Sequence, residues 1–195
     1  DGFDELDAVG PFEVFQNAAE AGADCEVSLV THEKRGRVTA SHGLDVGVDG
    51  TLARPGDDDA PDLLVVPGGG WSSGEGGVRR EYNSGDLSEE IVANHAAGTT
   101  VTSVCTGAML LERAGILGDG PATTHKSAIE DLRDAGVEVP DARVVDTGQV
   151  VTAGGVTSGI DLALYLVERE FGEEVAASVA TTLEYERTGD VLVAN

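Results

Sequence analysis

Short apolar runs alternate along the chain with longer segments in which apolar positions recur at helical spacing. In GPFEVFQNAAEAG (10–22), Phe12, Phe15 and Ala19 share one face and Pro11 suits a first turn, which predicts a helix. DCEVSLVT (24–31) alternates as a strand does, and RVTASHGLDVGVD (37–49) reads as two short strands about a glycine-containing turn. ARPGDDDAP (53–61) is a polar loop. DLLVVPGGG (62–70) then gives a continuous apolar strand that runs into glycines, as suits a parallel sheet covered on both faces.

The second half keeps the alternation: LSEEIVANHAAG (87–98) as helix, TTVTSVC (99–105) as strand and TGAMLLERAGIL (106–117) as helix. Two further units follow through THKSAIEDLRDAG (124–136), the strands ARVVD (142–146) and QVVTAGG (149–155), and the helix SGIDLALYLVEREFG (158–172). EEVAASVATTLEYE (173–186) adds a closing helix. This order predicts a three-layer α/β sandwich of the doubly wound kind, in which ligands sit beyond the carboxyl ends of the strands. The ends of 62–66 and of 99–104 would both face that crevice.

Composition narrows the partners. The 195 residues suffice for one sizeable core, so a single domain over 1–195 is expected. With 36 acidic against 12 basic side chains the formal charge is -24, which argues against nucleic acid or an anionic membrane as partner. Lysine is nearly absent and the acids are dispersed, as in proteins adapted to a salt-rich cytosol where self-repulsion is screened. Cys25 and Cys105 match no metal spacing, and neither a signal peptide nor a membrane-length apolar run is found, so a reducing cytoplasm is the expected compartment. The first residue is not methionine, which reads as a start inside a longer protein.

The candidate chemistry centres on Cys105. Ser103-Val104-Cys105-Thr106-Gly107 has the form of a strand-to-helix elbow with cysteine in place of serine, and a helix N-terminus behind it favours a thiolate. The same cysteine also fits as a small core residue. Pro67-Gly68-Gly69-Gly70 offers backbone N–H groups that, with that of Thr106, form an oxyanion hole; a plain tight turn explains the glycines equally. Asp7 is either a helix cap or an acid, Asp4 and Glu5 read as solvated loop charges, and His125 either orients a thiolate or is an ordinary surface histidine.

LDAVGPFEVF, VVPGGGW, SVCTGAMLLERAGIL, ATTH and VTAGGVTSGIDLALYLVEREFGEEVA together resemble the ThiJ/PfpI superfamily, and within it the isonitrile hydratase-like branch, over Asp1 to about Tyr185. The resemblance implies a flavodoxin-like sandwich with a mostly parallel sheet, usually a homodimer. It places the nucleophile at Cys105, the adjacent carboxylate at Asp7, backbone donors at Gly69 and Thr106, and acid–base work also on the Thr106 hydroxyl. His125 and Gly70 are possible additions. It further implies a strand ahead of Asp1, and an aromatic residue where Lys126 stands.

The activity implied is that of an enzyme with no cofactor and no metal, which adds water to a small carbon–nitrogen substrate, as in hydration of an isonitrile to an N-substituted formamide. A glyoxalase-like, carbonyl-processing activity uses the same cysteine and acid. A ligand or redox sensor is the non-catalytic alternative, although the 195 residues contain no basic helix-turn-helix segment.

Overall fold

The computed structural model describes residues 1–74 and 76–194. Helix α1 (Glu5–Glu20) starts ahead of the predicted Gly10, with Asp4 as its N-cap residue, although the Asp4 side chain makes no capping bond. Asp7 therefore stands inside the first turn and is not the cap. Pro11 falls within the helix, where it removes one backbone donor.

The strand expected over 24–31 is paired only at its end. β1 (Val30–Thr31) runs parallel to β4 (Gly50–Thr51), while β2 (Arg37–Thr39) and β3 (Asp45–Gly47) form the expected antiparallel pair. Residues 24–29 stay outside any ladder, yet Ala23, Cys25 and Val27 pack against the core. The alternation there records which side chains point inward, and backbone pairing does not follow it.

Five strands make the central sheet: β5 (Leu63–Val66), β6 (Thr100–Val104), β7 (Val144–Asp146), β8 (Val150–Ala153) and β9 (Val191–Val193), in the order β5-β6-β8-β7-β9. β5, β6 and β8 run parallel, β7 lies antiparallel to β8, and β9 is parallel to β7. Val66 is in register with Ser103, and Ser103 with Thr152, so Pro67, Cys105 and Gly154 lie near the same carboxyl edge of the sheet.

Helices cover both faces. On one side α1, α6 (Ser158–Phe171) and α7 (Glu173–Thr182) enclose a core that includes Val14, Val104, Val151, Leu162 and Leu166. On the other, α2 (Gly77–Ser84), α3 (Asp86–Ala96), α4 (Ala108–Arg113) and α5 (Ile129–Asp134) enclose Val66, Ile91, Val101, Leu111 and Leu132. Along β5, Leu63 and Val65 join the first core while Leu64 and Val66 join the second. Each fully buried aliphatic side chain contributes roughly 1.5–3 kcal/mol. This is a flavodoxin-like α/β sandwich with a mostly parallel sheet.

Several expected elements are shorter, and three are new. The helix after Cys105 opens with a 3-10 turn over Cys105–Gly107 and ends at Arg113, where Gly115 adopts φ 71. α5 begins only at Ile129, because Thr123 and Thr124 are drawn into the interior ahead of it. α2 is strongly polar and buries little beyond Gly77 and Val78, so no apolar run marks it in the sequence. β4 and β9 are the other unanticipated elements. No described helix is long and apolar enough to cross a membrane.

Candidate active site

Cys105 directly follows β6 with φ 58, a left-handed conformation that costs a non-glycine residue on the order of 1–3 kcal/mol. Its peptide is held from two sides. The Cys105 N–H donates to Gly154 O at 2.8 Å, and Thr124 Oγ1 donates to Cys105 O at 2.9 Å. The side chain is 5% exposed and lines a cavity of about 490 Å³. A smaller cavity of about 310 Å³, among His95, Leu117, Thr147 and Gln149, holds no nucleophile.

Asp7 lies wholly buried beside the cysteine. Its Oδ2 accepts a hydrogen bond from the Gly68 N–H at 2.9 Å, while the buried Oδ1 has no hydrogen-bond partner among the described residues. Burial above all, and next the charge of Asp4, push the Asp7 carboxyl up to about 7. The Gly68 N–H and the thiol favour the carboxylate but do not outweigh them.

The thiol is the reverse of the sequence expectation. Burial, and then the Asp7 carboxylate, push Cys105 up to about 12 against the N–H groups of Val156 and Thr106. The helix behind it is only a 3-10 turn and the six residues of α4, too short to offset a buried anion next door. The two groups thus act as one proton-sharing unit.

Thr106 completes the floor. Its Oγ1 accepts from the Gly69 N–H at 2.9 Å. Gly69, expected as an open oxyanion donor, is therefore engaged, and its role in the geometry is to orient a hydroxyl whose own proton is left to donate. Gly68 makes this packing possible: a Cβ there would stand 2.5 Å from Thr106 N and 2.8 Å from both Asp7 Oδ2 and Thr106 Oγ1. Gly70, at φ 71, lines the cavity.

His125 also lines the cavity but makes no hydrogen bond to Cys105 or Asp7 among the described residues. Its Nδ1 accepts from the Ser127 N–H at 3.2 Å and sits 2.8 Å from Ser127 Oγ, which places the proton of the neutral ring on Nε2. Lys126 is exposed and lies outside the lining. The aromatic wall is instead Trp71, 4% exposed, with Arg79 3.4 Å over its ring and its Nε1 donating to Asp131 Oδ2 at 2.6 Å.

Two contributors escape sequence reasoning. Val156 has φ 27, rare for a β-branched residue, and turns its N–H toward the sulfur; nothing in VTAGGVTSG announces that strain. The serines of the wall, Ser41, Ser72, Ser73 and Ser127, are scattered over three loops. Trp71, the sole tryptophan directly after the glycines, was the available clue to the wall. Asp4, Glu5 and His42 bring carboxylate and ring-nitrogen atoms within 4.8 Å of one another, a grouping that sequence spacing does not reveal.

A cysteine lifted from a parallel sheet on a strained turn, with a buried carboxyl group beside it and a glycine turn alongside, defines a flavodoxin-like protein of the cysteine-elbow class. The chain belongs to the DJ-1/PfpI family, whose sequence profile matches residues 1–169. It is 35% identical to an isonitrile hydratase of Pseudomonas putida over 93% of this chain and 73% of that protein. A deglycase of Pyrococcus abyssi is 30% identical over 88% of this chain and 92% of its own length. The crystal structure of a ThiJ/PfpI family protein from Pseudomonas syringae superposes with a TM-score of 0.81 at 26% identity, covering 96% of this chain and 72% of that one.

Proposed function

We propose that the protein is a cysteine-dependent enzyme that hydrates a small isonitrile to an N-substituted formamide. The observation that carries the reading is Thr106, directly after the cysteine, with its hydroxyl fixed by Gly69 beside a carboxyl group able to exchange protons near neutrality. The 35% identity to an isonitrile hydratase supports the same reaction class.

Asp7 begins as a carboxylate beside the Cys105 thiol. Asp7 takes the thiol proton as the sulfur attacks the terminal carbon of the isonitrile and hands that proton on to the same carbon, which gives a thioimidate. Water then adds across the C=N bond: its oxygen bonds to carbon while Asp7 relays one of its protons to nitrogen, and the Thr106 hydroxyl stabilises the nitrogen lone pair. The C–S bond breaks, and the hydroxyl proton passes through Asp7 to the departing sulfur. The starting state is restored, and one water has become part of the formamide.

A carbonyl-processing reaction is the second reading. It draws on the similarity to a deglycase and on a cavity walled by Ser41, Ser72, Ser73 and Ser127, hydroxyls suited to an oxygenated substrate. Purified protein in high salt, supplied with isonitriles or with methylglyoxal and compared with Cys105→Ser, separates the two. Formamide formation that is lost in the variant supports hydration. Consumption of methylglyoxal alone rejects it in favour of the second reading.

A further inference from the structure

The cavity over Cys105 has one charged residue in its wall, Asp4, and among the described residues no lysine or arginine lines it. The Asp4 carboxylate also makes no hydrogen bond or ion pair with any described side chain. Its nearest charged neighbours are already matched. Glu5 Oε2 lies 2.7 Å from His42 Nδ1, and Glu5 Oε1 accepts the His42 backbone N–H at 2.7 Å. The pairing with Glu5 raises His42. Hydrogen bonds from the His42 ring and backbone, with further backbone bonds, hold Glu5 at about 2 against its burial. Glu5 and His42 are thus hydrogen-bonded to each other, and Asp4, although its carboxylate lies within 4.8 Å of both, has no bonded partner of its own among the described residues and stands in the cavity wall.

We propose that Asp4 fixes the charge class of the substrate: the cavity takes uncharged or cationic molecules with a hydrogen-bond donor remote from the reacting carbon, and it turns away carboxylates and phosphates. This rests on the cavity over Cys105 being the substrate site. An ammonium or hydroxyl group on the nitrogen substituent finds an acceptor in Asp4, and a carboxylate there meets a like charge with no basic residue to neutralise it. The remaining wall, from glycines, serines and Trp71, supplies shape and neutral hydrogen bonds.

The test reads the thiol itself, independently of turnover. Three methanethiosulfonates of similar size, carrying a trimethylammonium group, no charge or a sulfonate, form a mixed disulfide at Cys105 with release of methanesulfinate. Rates are measured at the lowest salt that keeps the circular dichroism intact, with peptide mapping to exclude Cys25. In the unaltered protein the cationic reagent should react fastest and the sulfonate slowest.

Asp4→Asn should reduce the cationic-to-anionic rate ratio roughly fivefold or more, the effect of one unit charge at about 4 Å. Asp4→Ser, which retains a capping residue, should do the same, and Glu20→Gln on the exposed far end of α1 should not. An unchanged ratio in both folded Asp4 variants overturns the proposal. In a second arm, the kcat/KM ratio of a trimethylammonium-bearing to a carboxymethyl isonitrile should fall in Asp4→Asn. Turnover of neither isonitrile by the unaltered protein rejects the hydration reading, while the thiosulfonate ratio still decides the role of Asp4.

Discussion

The backbone N–H of Gly69 and the side-chain oxygen of Thr106 lie 2.9 Å apart, joining the loop after β5 to the turn after β6. One bond does two things. It satisfies a partly buried donor, and it occupies the acceptor side of the hydroxyl so that the Thr106 proton points elsewhere.

Thr106→Val keeps the shape and removes both effects. An unpaired Gly69 N–H should cost about 1–3 kcal/mol, and turnover should fall with the lost hydroxyl. Thr106→Ser should keep most of both. Thermal melts and product formation on the two variants check this, and a Val variant with full turnover refutes the assigned role of the hydroxyl.

Asp7→Asn separates catalysis from stability. Loss of an acid–base group commonly lowers rate about 10²–10⁴-fold. The carboxyl is raised from 3.8 to about 7 in the folded protein. Its contribution to stability is therefore fully present below pH 4 and is lost as pH rises through 7, where a buried anion must form. The Asn variant should accordingly melt higher than the unaltered protein above pH 7. Activity should itself rise with pH through about 7, as the Asp7–Cys105 pair drops from two protons to one, and the residual activity of the variant should lack that limb. Melting curves and pH–rate profiles from pH 4 to 9 provide the comparison.

Gly68→Ala probes the close packing beneath the thiol. With its Cβ 2.5 Å from Thr106 N, the alanine must push the glycine turn away from the elbow. A loss of about 1–3 kcal/mol is expected from the overpacking, with a larger proportional loss of turnover because Asp7 and Thr106 both shift. Denaturant titration and steady-state rates measure the two effects, and an active, fully stable variant contradicts the geometry.

Salt should raise the melting temperature throughout. At -24 on 195 residues, repulsion is long-ranged in dilute buffer, and its reach shrinks to about 3 Å at 1 M salt. Melts in potassium chloride from millimolar to molar concentration should climb steadily. A midpoint that ignores salt rejects the adaptation inferred from composition.

Much of the architecture was written in the sequence pattern. β5 appears as an unbroken apolar run because both faces are covered, β6 and β8 as valine- and threonine-rich stretches, and α6 as a clean amphipathic helix. α2 and β9 were not legible, since GVRREYNS buries almost nothing and VLV is too short to stand out. The start of α1 is not legible because Asp4 and Glu5 read as solvated loop charges and Asp7 as a cap or an acid, whereas in the fold Asp7 lies within the first turn and turns inward onto Gly68. At the candidate site, the elbow could be read locally. The upward shift of the thiol could not, because it comes first from burial and then from a carboxylate ninety-eight residues earlier in the chain. The strain at Val156 and the isolation of Asp4 likewise depend on neighbours that only folding supplies.

The peptide of Cys105 is tied at its N–H to Gly154 and at its carbonyl to Thr124, while its thiol faces Asp7. These anchors span most of the sequence, and loop closure must precede each of them. During synthesis, a chain that has emerged only as far as α5 already contains its cysteine, yet it has no Gly154 to fix the elbow and no Val156 beside the sulfur. Such a chain carries an ordinary thiol. The geometry of the candidate site is complete only when β8 and α6 dock, so a nascent or misfolded copy lacks the arrangement on which the proposed chemistry rests.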